Sequence, residues 1–359
     1  MTERPQPRLL FLTIILGLLA TLGPIGQDMY IPSIPKIAAD LGTTTNLVIF
    51  SVSAVLFGNA IGQMVHGPLA DRFGRKPVIM GVLILFIASS GAALWATSIE
   101  VLVVLRFFQG LAQSGGRILA NAIARDYFEK ERLGKLMSDI MFVTAIGAVV
   151  APISGGFIAQ HLPWQVSMGV MASFGIIVLG LFLFGYPESG GARDRTSLNP
   201  AILAATIKKV LANRIFLMNT LCSTFMLSGF IIFLSLSASV LIEGFGVRGD
   251  IYGFLFAAVS LSFLAGTFIS GRLVARLKLD QMVGLGIAIG SASGLTMAGT
   301  ALSVSGFLQS MTSAGISFAL TLFTHDDAVI MGIAISAVAL FALLIYVAGA
   351  RRGPSAASA

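Results

Sequence analysis

Charge is absent from long stretches of this chain, and those stretches have the length of a bilayer crossing. Residues 9–27, 47–68, 78–97, 140–187, 215–242, 251–271, 281–324 and 328–349 contain no Asp, Glu, Lys or Arg. A transmembrane helix needs about 20 mostly apolar residues. Only 11% of the residues are charged while 56% are hydrophobic, against about a quarter charged in a soluble domain. No soluble core could bury that much apolar surface. Soluble enzyme, nucleic-acid binder and disordered tail are thereby excluded, and the chain reads as an all-α polytopic membrane protein. The net charge of +7 belongs to loops on one side of the membrane. One cysteine, Cys222, excludes an intramolecular disulfide. Arg4 and Arg8 before an apolar stretch could suggest a secretory signal. The stretch runs on without a small-residue cleavage site, so it reads as a first transmembrane helix.

Span four is residues 99–124, interrupted by Arg106 and Arg117; residues 140–187 break at Gln160-His161-Leu162-Pro163 into spans five and six. Orientation follows from Lys and Arg. Of the 23 basic residues, Arg106 and Arg117 lie in a span, and Arg351 and Arg352 lie at the C-terminus. Lys36 and Arg248 fall on the far side of the membrane, and the remaining 17 on the side of the N-terminus. The N-terminus is therefore expected in the cytoplasm. Three parts follow: a six-helix bundle over 1–187, a cytoplasmic linker over 188–213, and a shortened, about four-span bundle over 214–359. Within the linker, residues 200–210 could form a short surface helix.

The shortening is visible in length. The second part has 146 residues after Asn213, and the first uses about 30 per span. Residues 281–324 form a 44-residue run without charge or proline. One crossing keeps Arg351 and Arg352 inside, as the distribution of basic residues prefers, and gives ten spans.

Between spans two and three stands Gly67-Pro68-Leu69-Ala70-Asp71-Arg72-Phe73-Gly74-Arg75-Lys76. Its glycines allow a tight turn and close helix approach, and Asp71 among Arg72, Arg75 and Lys76 can form an ion-pair network. A basic loop alone would explain the cations, though neither the glycines nor the embedded acid. The pattern G-x-L-A-D-R-x-G-R-K resembles the signature loop of the major facilitator superfamily. A degenerate copy, Gly271-Arg272-Leu273-Val274-Ala275-Arg276, follows span eight, where an internal repeat would place it.

Four further sites stand out. Asp28 ends the first uncharged run, followed by Tyr30, Pro32 and Pro35. An acid in a span is costly and functional by default, and since desolvation penalises its charged form, Asp28 could exchange a proton. It could equally be the polar start of an outer loop. Asp-x-Tyr-x-Pro-x-x-Pro resembles the Bcr/CflA subfamily of drug/proton antiporters, which implies a cavity-facing acid. Arg106, in Leu105-Arg106-Phe107-Phe108-Gln109-Gly110, resembles the superfamily's buried arginine; snorkelling to the outer surface is the alternative. Arg117 lies 11 residues on, close to three turns, and either reaches the cytoplasmic interface or lines the cavity. In span five, Gly147, Pro152, Gly155 and Gly156 resemble the superfamily's antiporter motif, whose small residues let helices touch. Asn59, Gln63 and Gln109, with Tyr30, could line a substrate cavity or cross-link helices. His66 reads as interfacial.

The resemblance implies a multidrug efflux transporter of the bacterial cell inner membrane. It would exchange protons, through Asp28 and Arg106, for small drug-like compounds. No cofactor, metal or nucleic acid is expected, and the protein is expected to act as a monomer in the lipid bilayer. Residues 298–309 resemble the start of the family's eleventh helix, which implies that part of the ninth and all of the tenth are missing. Two alternatives stay open: a transport-impaired deletion form, and a proton-coupled uptake symporter of the same fold.

The topology has a direct check. A periplasm-dependent phosphatase fused after Ala359 is expected to be inactive, because ten spans keep Arg351 and Arg352 in the cytoplasm; strong activity would mean eleven.

Overall fold

The computed structural model describes residues 9–128, 130–186, 200–212 and 237–273, together with positions 217, 220, 221 and 224. These residues form helices joined by short turns. The first span is segmented: α1 (Leu9–Ala20), α2 (Leu22–Asp28), a 3-10 turn (Ile31–Ser33) and α3 (Ile34–Asp40). Then come α4 (Thr45–Phe73), α5 (Arg75–Ala93), α6 (Ile99–Tyr127), α7 (Lys130–His161) and α8 (Gln165–Gly185). The remaining elements are α9 (Pro200–Ala212), a π-helical turn (Ser239–Gly244) and α10 (Gly249–Leu273). Among the described residues, five helices are long and apolar enough to cross a membrane, with the first span counted as one. Helix α6 is absent from those five although it has 29 residues: two arginines and two glutamines dilute it. It owes its place to packing against α4 and α5.

Local chemistry explains the breaks. Thr44 and Ser98 are extended N-caps whose hydroxyls accept from the amides of Leu47 and Val101. Pro32 and Pro35 sit in the first turns of the 3-10 turn and α3, where a missing N–H costs nothing. Gly74 has φ +98°, which a side chain would strain, and there α4 stops and α5 starts. The signature stretch is therefore a one-residue break, since Gly67 to Phe73 continue α4. Gly67 faces open space and makes no close approach, a correction to its expected packing role. Helix α7 starts ten residues before its uncharged run. Helix α9 covers the surface helix foreseen in the linker and extends it by two residues. Residues 281–359, with the span-count question, lie outside the described residues.

The core sits between α4 and α6, whose backbones touch. A Cβ on Gly58 would overlap the carbonyl of Phe107, and one on Gly110 the carbonyl of Val55. Close approach through small residues is how membrane helices gain packing energy. Outward faces stay apolar, as at Val101, Val104, Ile176 and Phe184.

Gly110→Val is expected to destabilise the bundle by at least the roughly 1–3 kcal/mol of overpacking, because backbone must move. Gly81→Val should be tolerated, as Gly81 meets nothing within 4 Å. Unfolding temperatures in detergent would test this; equal values would refute the α4–α6 contact.

Candidate functional site

A polar hub lies inside the apolar bundle, and Arg106 is its centre. Its side chain is 0% exposed, which excludes snorkelling. One guanidinium nitrogen, Nη1, donates to the carbonyl of Gly26 on α2 at 2.7 Å and to Oε1 of Gln109. The guanidinium carbon lies 4.0 Å from the ring centroid of Tyr30, a cation–π contact worth about 2 kcal/mol when desolvated. The Tyr30 hydroxyl and Ser51 Oγ on α4 share a 2.7 Å hydrogen bond. Gln109 Nε2 donates to Ser90 Oγ on α5 at 2.7 Å and to Met171 Sδ on α8 at 3.2 Å. One arginine thus ties the first span to α4, α5, α6 and α8.

Tyr30 and Gln109 were expected on a cavity wall. Both are buried beside Arg106, where they act as its partners. Gln113, two turns below Arg106 on the same face, escaped the sequence reading; the i, i+3, i+7 spacing of Arg106, Gln109 and Gln113 is the signal that would have found it. It is 2% exposed, and neither amide atom is hydrogen-bonded among the described residues. Nε and Nη2 of Arg106 share that condition. Gly26 lies against Gln113 so closely that a Cβ there would overlap its Oε1. Arg117 follows on the same face and is exposed.

Asp28 is the last residue of α2 and half-buried. Among the described residues its carboxyl makes no hydrogen bond or ion pair. It lies within electrostatic reach of Tyr252 on α10, a residue no sequence signal indicated. Tyr252 is buried and shares a 2.7 Å hydrogen bond with Ser237.

The span-five motif sits beside Asp28. A Cβ on Gly147 would overlap Thr21, and one on Gly155 the carbonyl of Met29. Gly156 faces Gly249 and Gly253 of α10, and Gly253 in turn faces the carbonyl of Pro152. Gln160 Oε1 accepts from the amide of Gly249 at 3.1 Å, and Thr45 donates to Glu243 at 3.0 Å. The two parts of the chain are therefore closed on each other at this end.

At the opposite end, Arg75 pairs with Asp71 at 2.8 Å and with Asp126 on α6 at 3.1 Å. Lys76 donates to the carbonyl of Tyr186, just past α8, at 2.9 Å. Arg72 is exposed over Phe73 and joins neither ion pair. Asp126 is a partner that no spacing indicated. Gln63 is buried and donates to half-buried Asn59 at 2.7 Å. His66 is 6% exposed and within 3.2 Å of Ser114 Oγ. It is a packing residue at the α4–α6 crossing and is not interfacial. The described residues hold no cluster of metal-ligating side chains.

Comparison with known proteins gives a consistent picture. The profile of the Major Facilitator Superfamily matches residues 16–354. A bicyclomycin resistance protein homolog of Haemophilus influenzae is 31% identical over 303 residues, 84% of this chain and 76% of that protein. The multidrug resistance protein MdtL of Escherichia coli is 31% identical over 299 residues, covering 80% and 75%. Among solved structures, a D-xylose-proton symporter superposes with a TM-score of 0.72 at 17% identity, covering 94% of this chain and 97% of that one. An inward-open conformation of the xylose transporter XylE from E. coli gives 0.68 at 16% identity, covering 94% and 96%. Likeness at that identity concerns the fold alone.

Arg106→Lys keeps the charge and loses the planar guanidinium that lies over the Tyr30 ring while Nη1 reaches Gly26 and Gln109. It is expected to cost about 1.5–3 kcal/mol, the worth of a hydrogen bond to a charged group, and to lower the unfolding temperature. An unchanged temperature would show that the hub does not organise the bundle.

Proposed function

The chain belongs to the Major Facilitator Superfamily of transporters, and on that premise we propose that it exports small amphipathic compounds, antibiotics among them, in exchange for protons. The membrane would be the bacterial inner membrane, with the N-terminus and the Arg75 end of the bundle in the cytoplasm. Protons serve as the coupling ion, and no cofactor is required. The observation that carries proton coupling is Asp28. It is an acid at the end of a membrane segment, half-buried and without a hydrogen bond or ion pair among the described residues. Such a carboxyl is free to change its protonation state as its surroundings change. Relatives named for bicyclomycin and multidrug resistance support export of drugs.

Coupling works through position. Asp28 sits between the hub and α10, so a change in its charge is felt by both parts of the chain. The glycine contact of α7 with α10 closes one end. The Arg75 ion pairs lie at the other end, among partly exposed groups. Rocking about the first span would expose Asp28 to each side in turn.

A second reading has its own observation. The uncharged run 281–324 is barely long enough for two crossings, as in an exporter that lost a helix pair and no longer transports.

A drug-susceptibility panel separates the readings. The wild-type chain should raise resistance to some compounds, and Asp28→Asn should abolish the effect at equal membrane abundance. Parental resistance with Asp28→Asn would refute the proton-carrier role. No resistance with either would favour the non-transporting reading. Arg106→Ala should reduce resistance more broadly than Arg117→Ala, since it also removes the hub; equal loss would contradict that ranking.

A further inference from the structure

We propose that Arg117 anchors the anionic group of amphipathic substrates, so that the protein favours compounds bearing a carboxylate or sulfonate. This rests on the export reading above and narrows its substrate class.

The residue has an unusual position. Arg117 is exposed although ten residues separate it from the end of α6 at Tyr127. At 100° per residue it lies within about 20° of Arg106 around the helix, and 140° to 180° from Val101, Val104 and Phe108. Those three are the exposed, lipid-side face of the same helix. Its exposure is therefore on the interior side. Next to it, Gly116 abuts the carbonyl of Leu19 and the side chain of Leu22, so the first span supplies apolar surface beside the charge.

Among the described residues no carboxylate pairs with it. The three ion pairs among the described residues are Arg75–Asp71, Arg75–Asp126 and Arg248–Asp250. Asp28 is near the level of Arg106, about 16 Å away along the axis. Asp139 on α7 is half-buried and makes no ion pair. In the second part, the uncharged runs 215–242, 251–271, 281–324 and 328–349 contain no Asp or Glu. An arginine cannot shed its charge, so water or a mobile anion must balance it. The planar guanidinium fits a carboxylate or sulfonate through paired hydrogen bonds. Its distance from Asp28 lets an anion bind without repelling the proton site.

Equilibrium binding of 1-pyrenebutyrate tests this without any proton gradient, so it stands apart from the resistance assays. The full chain is placed in nanodiscs of phosphatidylcholine, and the neutral methyl ester of the probe is the control. Wild type should bind the acid at least about tenfold more tightly than Arg117→Gln does, with Arg117→Lys in between and the ester alike on all three. Unfolding temperatures should match, since Arg117 makes no ion pair among the described residues. Equal affinity of wild type and Arg117→Gln for the acid, or no saturable binding to wild type, would overturn the proposal. An equal fall for acid and ester would do so too. Discs containing anionic phosphatidylglycerol supply the last arm. Retained affinity supports a substrate site, whereas loss of acid binding there would assign Arg117 to a lipid headgroup and overturn it.

Discussion

Arg106 has no carboxylate partner among the described residues, so its charge is held by a carbonyl, an amide and an aromatic ring. A buried cation missing those partners would cost several kcal/mol. Each partner comes from, or is held by, a different helix: Gly26 from α2, Tyr30 through Ser51 of α4, and Gln109 through Ser90 of α5 and Met171 of α8. Helices of the first part of the chain thus meet around one guanidinium. The carbonyl of Gly26, in the last turn of α2, accepts from Arg106, and the glycine leaves room for Gln113 beside it.

The two ends of the bundle are built from different interactions, and the difference suits a moving part. One end is closed by backbone contact, where Gly156, Gly249 and Gly253 allow approach that side chains would prevent. The other is clasped by Arg75 between Asp71 and Asp126, groups that remain partly exposed. Packing of the first kind separates all at once, whereas the partly exposed ion pairs can exchange for water one at a time. Asp28 lies beside the packed end and Arg117 toward the clasped one. Asp28 on α2, the proposed proton site, and Arg117 on α6 are thus separated along the bundle.

Much of this was legible in the sequence. Uncharged runs located the helices, because a bilayer forbids charge wherever lipid must be faced. The spaced glycines and Asp71 marked the turn at Gly74, and the isolated acid and arginine in apolar runs marked Asp28 and Arg106. What was not legible depends on which groups meet across helices. Tyr30 belongs to the arginine's shell from another helix, which no spacing within one helix reveals. His66 looked interfacial from its place before the basic stretch and proved to be packed against Ser114. The close approach of Gly249 and Gly253 to α7 and the position of Tyr252 near Asp28 are tertiary facts with no local signature. Gln113 is different. The helical period connects it with Arg106, so that residue was readable and was passed over.

The central claim is that proton movement through Asp28 is exchanged for substrate. Proton flux in everted membrane vesicles measures it most directly. Respiration acidifies the vesicle interior, reported by quenching of acridine orange. The compound used is the one to which the chain confers most resistance. Added outside, it should release the quench within seconds in vesicles carrying the wild-type chain, and leave it unchanged with Asp28→Asn. No release with the wild-type chain, or equal release with both, would contradict the account.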